Sequence, residues 1–239
     1  MAKDQAVFKR YEKKYLMTEE QYQKLTAVID EHMKVDQYGK HTICNIYFDT
    51  SDFYLIRRSI DKPAYKEKLR LRSYGIPTEN SKVFVELKKK FKGVVYKRRI
   101  KMPLNEAYRY LTKGITTDTS QIKKEIDYFM SYYHPVPKMY IAYDRIAYFC
   151  ETDPNFRITF DSDIRYREDD LYLEHGDHGE YLLDKGYRLM ELKIVGAIPL
   201  WLAHALTELK IYPTSFSKYG NIYKTLLTHG GTNYVRKYS

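Results

Sequence analysis

The chain has 239 residues, enough for one sizeable core and tight for two full domains. Its 44% hydrophobic and 15% aromatic residues mark a globular protein, and 41 Lys and Arg against 31 Asp and Glu leave a formal charge of +10. That charge suits polyanionic partners (nucleic acid, acidic lipid or phosphate-rich small molecules), while two cysteines, Cys44 and Cys150, exclude a disulfide-dense scaffold.

The start has no apolar signal-peptide core, and no segment approaches about 18 uncharged apolar residues. A cytoplasmic location is expected, with no transmembrane segment of the chain's own. Glycine and proline are scattered, no linker or repeat stands out, and residues 1–239 read as a single domain.

The first element, Val7 to Tyr15, reads as a strand. Thr18 and Gln21 form a capping-box pattern ahead of Tyr22, Leu25, Val28, Ile29 and Met33, which predicts a helix from about 19 to 34. Residues 41–50 are β-branched and aromatic and read as a strand, whereas 55–60 are ambiguous. Three strands are expected at 64–74, 82–91 and 93–101, the last two joined by a turn at Phe91-Lys92-Gly93.

Pro103 opens a short helix to about 111, and a second helix runs from about 120 to 133, stopped by His134-Pro135-Val136-Pro137. Strands return at 138–149, 155–166 and 187–195, with an acidic loop at 168–180. Helices close the pattern near 199–209 and 216–228, the latter with Ser215 as its cap. Strands spaced for antiparallel pairing, with helices inserted among them, make an α+β fold. Neither GxGxxG nor GxxxxGK[ST] occurs, so the common nucleotide-binding loops are absent from the sequence.

Charge within the strands carries the most information. With a period of two, Lys66, Lys68, Arg70 and Arg72 fall on one face of 65–74. Glu86, Lys88 and Lys90 share a face of 82–90, and Lys97, Arg99 and Lys101 share one of 94–101, with Arg98 opposite. Arg157, Asp161 and Arg165 share a face of 156–165. Glu191 and Lys193 face away from Met190, Leu192 and Ile194, and Glu12 with Lys14 repeats that Glu-x-Lys pair. Solvated outer faces would account for any one strand. Repeated like charges on consecutive strands, which repel, also fit a cavity for a polyanion or an open nucleic-acid surface.

Carboxylates among the cations favour phosphates with a divalent metal over a nucleic-acid backbone. The seven histidines are dispersed and the cysteines isolated, so no zinc site competes. The 26 tyrosines suit core and wall packing.

Several stretches resemble a known family: FKRYEKKYLMT (8–18), NIYFDTSDF (45–53), EKLRLRSYG (67–75), VFVELKKKFKGVVYKRR (83–99), YIAYDRIAY (140–148), RITFDSDIR (157–165), MELKI (190–194) and FSKYGNIY (216–223). Nearly the whole chain, in order, is similar to the VTC domain. This is the catalytic domain of the vacuolar transporter chaperone polyphosphate polymerases, in the triphosphate tunnel superfamily that includes the CYTH phosphatases.

The resemblance implies a closed antiparallel β-barrel with surrounding helices, whose basic tunnel holds triphosphate or polyphosphate. It implies transfer of the γ-phosphate of ATP to inorganic polyphosphate, releasing ADP, with Mn²⁺ or Mg²⁺. The phosphate-binding positions it implies are Lys14, Lys68, Arg70, Arg72, Lys88, Lys97, Arg98, Arg145, Arg157, Lys193 and Lys218. Arg70, Arg72, Lys193, Lys218 and Glu191 would act in catalysis, and Glu191, Glu86 and Glu12 would face the metal.

ATP and inorganic polyphosphate are then the partners, nucleic acid is not, and a membrane protein partner is compatible. The CYTH signature ExExK reads here as Arg10, Glu12 and Lys14, which points to the polymerase branch. No SPX sensor and no carboxy-terminal membrane helices lie in these residues, so inositol phosphate regulation and vectorial export are not carried over. Two other outcomes stay open, an inorganic triphosphatase or nucleotide phosphatase and a non-catalytic polyphosphate-binding subunit.

Overall fold

The computed structural model describes residues 11–92 and 94–229. Val7 to Arg10 of the first expected strand, and Gly93 of the expected turn, lie outside them. In chain order, β1 (Tyr11–Met17) leads into α1 (Glu19–Asp30), β2 (Lys34–Val35) and β3 (His41–Asp49). Helix α2 (Tyr54–Ile60) precedes the long strands β4 (Tyr65–Tyr74), β5 (Lys82–Phe91) and β6 (Val94–Pro103). Helices α3 (Leu104–Lys113) and α4 (Gln121–Tyr133) follow, then β7 (Val136–Phe149), β8 (Arg157–Arg167), β9 (Glu180–Tyr181) and β10 (Arg188–Ile194). After these come α5 (Leu200–Glu208), β11 (Pro213–Thr214) and α6 (Lys218–His229).

The pattern is α+β with a large antiparallel sheet. Its hydrogen-bonding order is β11-β1-β10-β8-β7-β3-β4-β5-β6, with β2 beside β7 and β9 beside β8 off that path. The order does not return on itself, so the expected closure into a barrel is not found. Strand β11 is only two residues long and offers almost no ladder. The outer strand β6 carries Lys97, Arg98, Arg99 and Lys101, charges that discourage edge pairing.

By packing, the chain divides into two compact units, each made of three separate segments. The first comprises residues 1–41, 144–163 and 183–216. Its core joins Tyr15, Met17, Leu25, Ile29, Ile158, Phe160, Met190, Leu192 and Leu202. Helix α1 starts at the expected capping box, where the Thr18 hydroxyl accepts from Gln21 N and Gln21 Oε1 accepts from Thr18 N. It ends at Asp30, a turn earlier than the spacing suggests. Met33 keeps its place in the core from the following loop.

The second unit comprises residues 42–143, 164–182 and 217–239. Leu69, Leu71, Val83, Val85, Leu87, Ile100 and Met102 project from β4, β5 and β6 into a core closed by Leu104, Ala107, Tyr110, Ile126 and Phe129 of α3 and α4. The ambiguous stretch 55–60 is helix α2. The buried Asp49 carboxylate accepts from Leu55 N and Ile56 N, satisfying donors that a helix start leaves open. Helix α6 is capped by Ser217 rather than the expected Ser215, its hydroxyl accepting from Gly220 N at 3.2 Å.

Candidate functional site

In the second unit, antiparallel register turns alternation along the strands into rows across β4, β5 and β6. The rows are Arg72–Phe84–Lys101, Arg70–Glu86–Arg99, Lys68–Lys88–Lys97 and Lys66–Lys90–Val95. Leu69, Leu71, Val83, Val85, Leu87, Ile100 and Met102, which alternate with them, enter the core, so these rows form the opposite face. That face bears nine cations, namely Lys66, Lys68, Arg70, Arg72, Lys88, Lys90, Lys97, Arg99 and Lys101, against one carboxylate, Glu86.

Glu86 is buried and serves several cations at once. Its Oε2 accepts from Arg70 Nε at 2.8 Å and Nη2 at 2.7 Å, and its Oε1 lies 2.7 Å from Lys97 Nζ. Arg72 and Arg99 approach to 3.8 and 3.9 Å. Burial pushes the Glu86 carboxyl up, but Arg70, Arg72 and Lys97 outweigh it and bring the pKa down to about 2.

Strand β3 orients the arginines. Asn45 Oδ1 accepts from Arg72 Nε at 2.8 Å, and the Tyr143 hydroxyl accepts from its Nη2 at 3.1 Å. The Tyr47 hydroxyl accepts from Arg70 Nη1 at 3.1 Å, and its ring stacks on Tyr219 with centroids 5.0 Å apart. Tyr219 donates to Asp49 at 3.0 Å, which ties α6 to the start of α2. Burial raises the Tyr47 phenol, yet Arg70, Arg72 and Lys68 lower it to about 8. Lys68 Nζ donates to Ser217 Oγ at 3.2 Å, and Lys218 Nζ sits 4.2 Å from the centre of the Tyr143 ring.

In the first unit, β1 pairs with β10 so that Lys14 faces Glu191 and Glu12 faces Lys193. Lys193 Nζ is 2.6 Å from Glu191, and Lys14 Nζ lies 4.0 Å from Glu191 and 3.8 Å from Glu12 while donating to the Phe216 carbonyl at 2.9 Å. Burial works against ionisation of Glu191, but Lys193, Lys14 and Arg145 hold it well below the usual carboxylate range. Arg145 grips the buried Asp161 with two hydrogen bonds of 2.6 and 2.8 Å. Arg157 is exposed, 3.9 Å from Asp36.

The expected site residues thus fall into two groups, each gathered within its own unit. Arg70, Arg72, Lys97 and Glu86 form one, with Lys68, Lys88 and Lys218 placed around it. Lys14, Glu12, Glu191, Lys193 and Arg145 form the other. Arg98 joins neither, because it projects from the opposite face of β6 and pairs with Glu125 at 3.2 Å. Arg99, Asn45, Tyr47, Tyr143 and Asp161 were not among the expected site residues. Arg99 and Asp161 were legible as period-two positions, whereas Asn45 and Tyr47 matter through their register partners Arg72 and Arg70, and Tyr143 through its contact with Arg72, which spacing alone does not reveal.

Among the described residues, no group of three or more His, Cys, Asp or Glu side chains gathers as a metal site. Glu86 does not fit a metal, since its oxygens already face guanidinium and ammonium groups. Glu191 and Glu12 are less enclosed: Lys14 stands at 4.0 Å from Glu191 and 3.8 Å from Glu12, and among the described residues only Lys193, at 2.6 Å from Glu191, makes a close ion pair with either. A hard divalent ion there would take most of its oxygen ligands from phosphate.

A family model for the VTC domain matches residues 9–227. The chain belongs to this family. Among solved structures, a proposed adenylate cyclase from Bacillus halodurans is 15% identical, with 86% of this chain and 92% of that one covered at a TM-score of 0.53. A second proposed adenylate cyclase, from Vibrio parahaemolyticus, is 14% identical, with 94% and 99% covered at a TM-score of 0.48. No curated protein matches the sequence. The likeness to the first of these structures is one of fold.

Proposed function

We propose that this VTC domain is a metal-dependent phosphotransferase that moves the γ-phosphate of ATP onto inorganic polyphosphate and releases ADP. The observation that carries the reading is the Lys68–Lys88–Lys97 row beside the Arg70–Glu86–Arg99 row. Cations directly opposite one another across strands repel, and a phosphate chain laid along them would remove that repulsion.

Arg70 and Arg72 would each present a planar fork, held at a fixed angle by Glu86, Tyr47, Asn45 and Tyr143. Arginine forks grip two phosphate oxygens at once, while lysines supply compact charge. A terminal oxygen of the existing polyphosphate would attack the γ-phosphorus in line. A new P–O–P bond forms there, the bond to the β,γ-bridging oxygen breaks, and the electron pair leaves with ADP. No protein nucleophile is needed, because positioning and preorganised charge dominate phosphoryl transfer. Glu191 and Glu12 would hold Mn²⁺ or Mg²⁺, which when bound supplies charge neutralisation at phosphate oxygens. Lys14, Lys193, Arg145, Arg157 and Lys218 are further phosphate contacts in this proposal.

Incubation with ATP and Mn²⁺, with products sized on a gel, tests it. Long polymer is the expected product. Short phosphate would mean that water attacks instead and the domain is a triphosphatase or nucleotide phosphatase. No turnover together with tight polyphosphate binding would make it a binding subunit.

A further inference from the structure

The cationic face of the second unit continues past the rows already used. Lys66 faces Lys90 across the β4–β5 ladder, one row beyond Lys68–Lys88, and the third member of that row is Val95. Directly paired side chains of this kind have Cβ atoms about 5 Å apart, so two lysines leave the sheet side by side without any acid in their row. Lys66 Nζ donates to the Ser59 carbonyl at 3.0 Å, in the last turn of α2. Lys62 follows just after the α2 C-cap, Asp61. Among the described residues, none of Lys62, Lys66 and Lys90 has a carboxylate within ion-pair distance. Glu67, next to Lys66 in sequence, is on the buried face and turned towards Lys89 at 3.9 Å, and Asp61, next to Lys62, makes no ion pair with it within 4.0 Å.

From this arrangement we infer that Lys62, Lys66 and Lys90 form a second anion subsite, which takes phosphate groups of a polyphosphate chain beyond those held at Arg70 and Lys68. The inference rests on the phosphate-binding reading proposed above. Four residues along β4 separate Lys66 from Arg70, roughly 13 Å at strand rise, a span of several linked phosphates. A triphosphate seated against Arg70 and Arg72 therefore engages the first rows only, while a long chain reaches both. The electrostatics agree with the geometry. Burial and the neighbouring ammonium groups of Lys90, Lys62 and Lys88 all press the Lys66 pKa downward, a strain that a bound anion relieves.

The test compares inorganic triphosphate with long-chain polyphosphate, without metal, on the wild type and on a Lys66→Ala, Lys90→Ala double variant. Calorimetry at fixed salt supplies the affinities. The double variant is expected to lose about tenfold or more in long-chain affinity and to keep triphosphate affinity within about twofold. Its long-chain affinity should also depend less steeply on salt, since fewer counterions are released. A Lys66→Arg, Lys90→Arg variant keeps the charge and should restore long-chain binding. Lys90→Ala alone, at an exposed side chain, is the fallback variant with the same expected direction. Unchanged long-chain affinity, or equal losses for the two ligands, would overturn the subsite. A wild type that binds neither ligand would overturn the phosphate-binding reading itself, and the subsite with it.

Discussion

Glu86 and Glu191 are both ionised carboxylates among cations, yet their surroundings suit different work. Glu86 is enclosed by Arg70, Arg72, Lys97 and Arg99 and fixes their directions. With its pKa brought to about 2, its contribution to stability is full above the ordinary carboxylate value and is lost as pH falls towards 2. Glu191 meets one lysine at 2.6 Å and another at 4.0 Å, and carries the metal in the function proposed above. Glu191→Gln should abolish metal-dependent turnover and leave metal-free polyphosphate affinity unchanged or higher, whereas Lys193→Ala should weaken metal-free binding. Equal losses in both variants, or none, would show that the two side chains do not divide metal and phosphate between them.

Tyr47 adds a pH dependence. Its phenol titrates near 8 instead of its ordinary 10, so phenolate pairing with Arg70 adds stability as pH rises from 8 to 10 and is lost as pH falls through 8. The same phenolate competes with an incoming phosphate for Arg70. Metal-free triphosphate affinity should fall by roughly tenfold one pH unit above that pKa. Tyr47→Phe should flatten this fall, and an undiminished fall in the variant would clear Tyr47 of any part in it.

Among the elements, β4, β5, β6, β10 and α1 were readable because their patterns are local. Charges recur every second residue, or a cap stands three residues from its partner. Helix α2 was not readable, since Asp49 starts it through a carboxylate seven residues from the farther amide it caps. The loop at 168–180 was expected as an acidic connector, and the structure gives it a definite anchor. Arg167 donates to the backbone carbonyls of Asp170, Tyr172, Gly176 and His178 while lying over the Tyr140 ring. Nothing in the local spacing announces that an arginine in a strand will hold the following loop by its backbone. Arg167→Ala should lower unfolding stability by about 2 kcal/mol, since partly buried carbonyls lose a charged donor, and should leave triphosphate affinity near wild type. Urea denaturation and calorimetry on the same variant check both halves.

At the scale of the molecule, the charge of +10 is concentrated in strand rows rather than spread evenly. Open order in the sheet was beyond the sequence, because closure depends on what the outermost strands meet and β11 is too short to be recognised. With affinity proposed to come from phosphates, ATP and GTP should bind within about tenfold of each other, roughly 1.4 kcal/mol. Titration of both nucleotides with Mn²⁺ tests this, and a much larger gap would mean that the base is recognised.

The pairing of β1 with β10 has a consequence for synthesis on the ribosome. Tyr11 to Met17 pair with Arg188 to Ile194, and Lys14 and Tyr15 also with Thr214 and Pro213, while Tyr219 reaches back 170 positions to Asp49. Translation proceeds at roughly 5–20 residues per second, so the first strand waits on the order of ten seconds or more for its partner. During that interval a growing chain has neither Lys193 beside Glu191 nor Lys218 over Tyr143. A nascent polypeptide can therefore hold no complete set of these cations until its last third has been made.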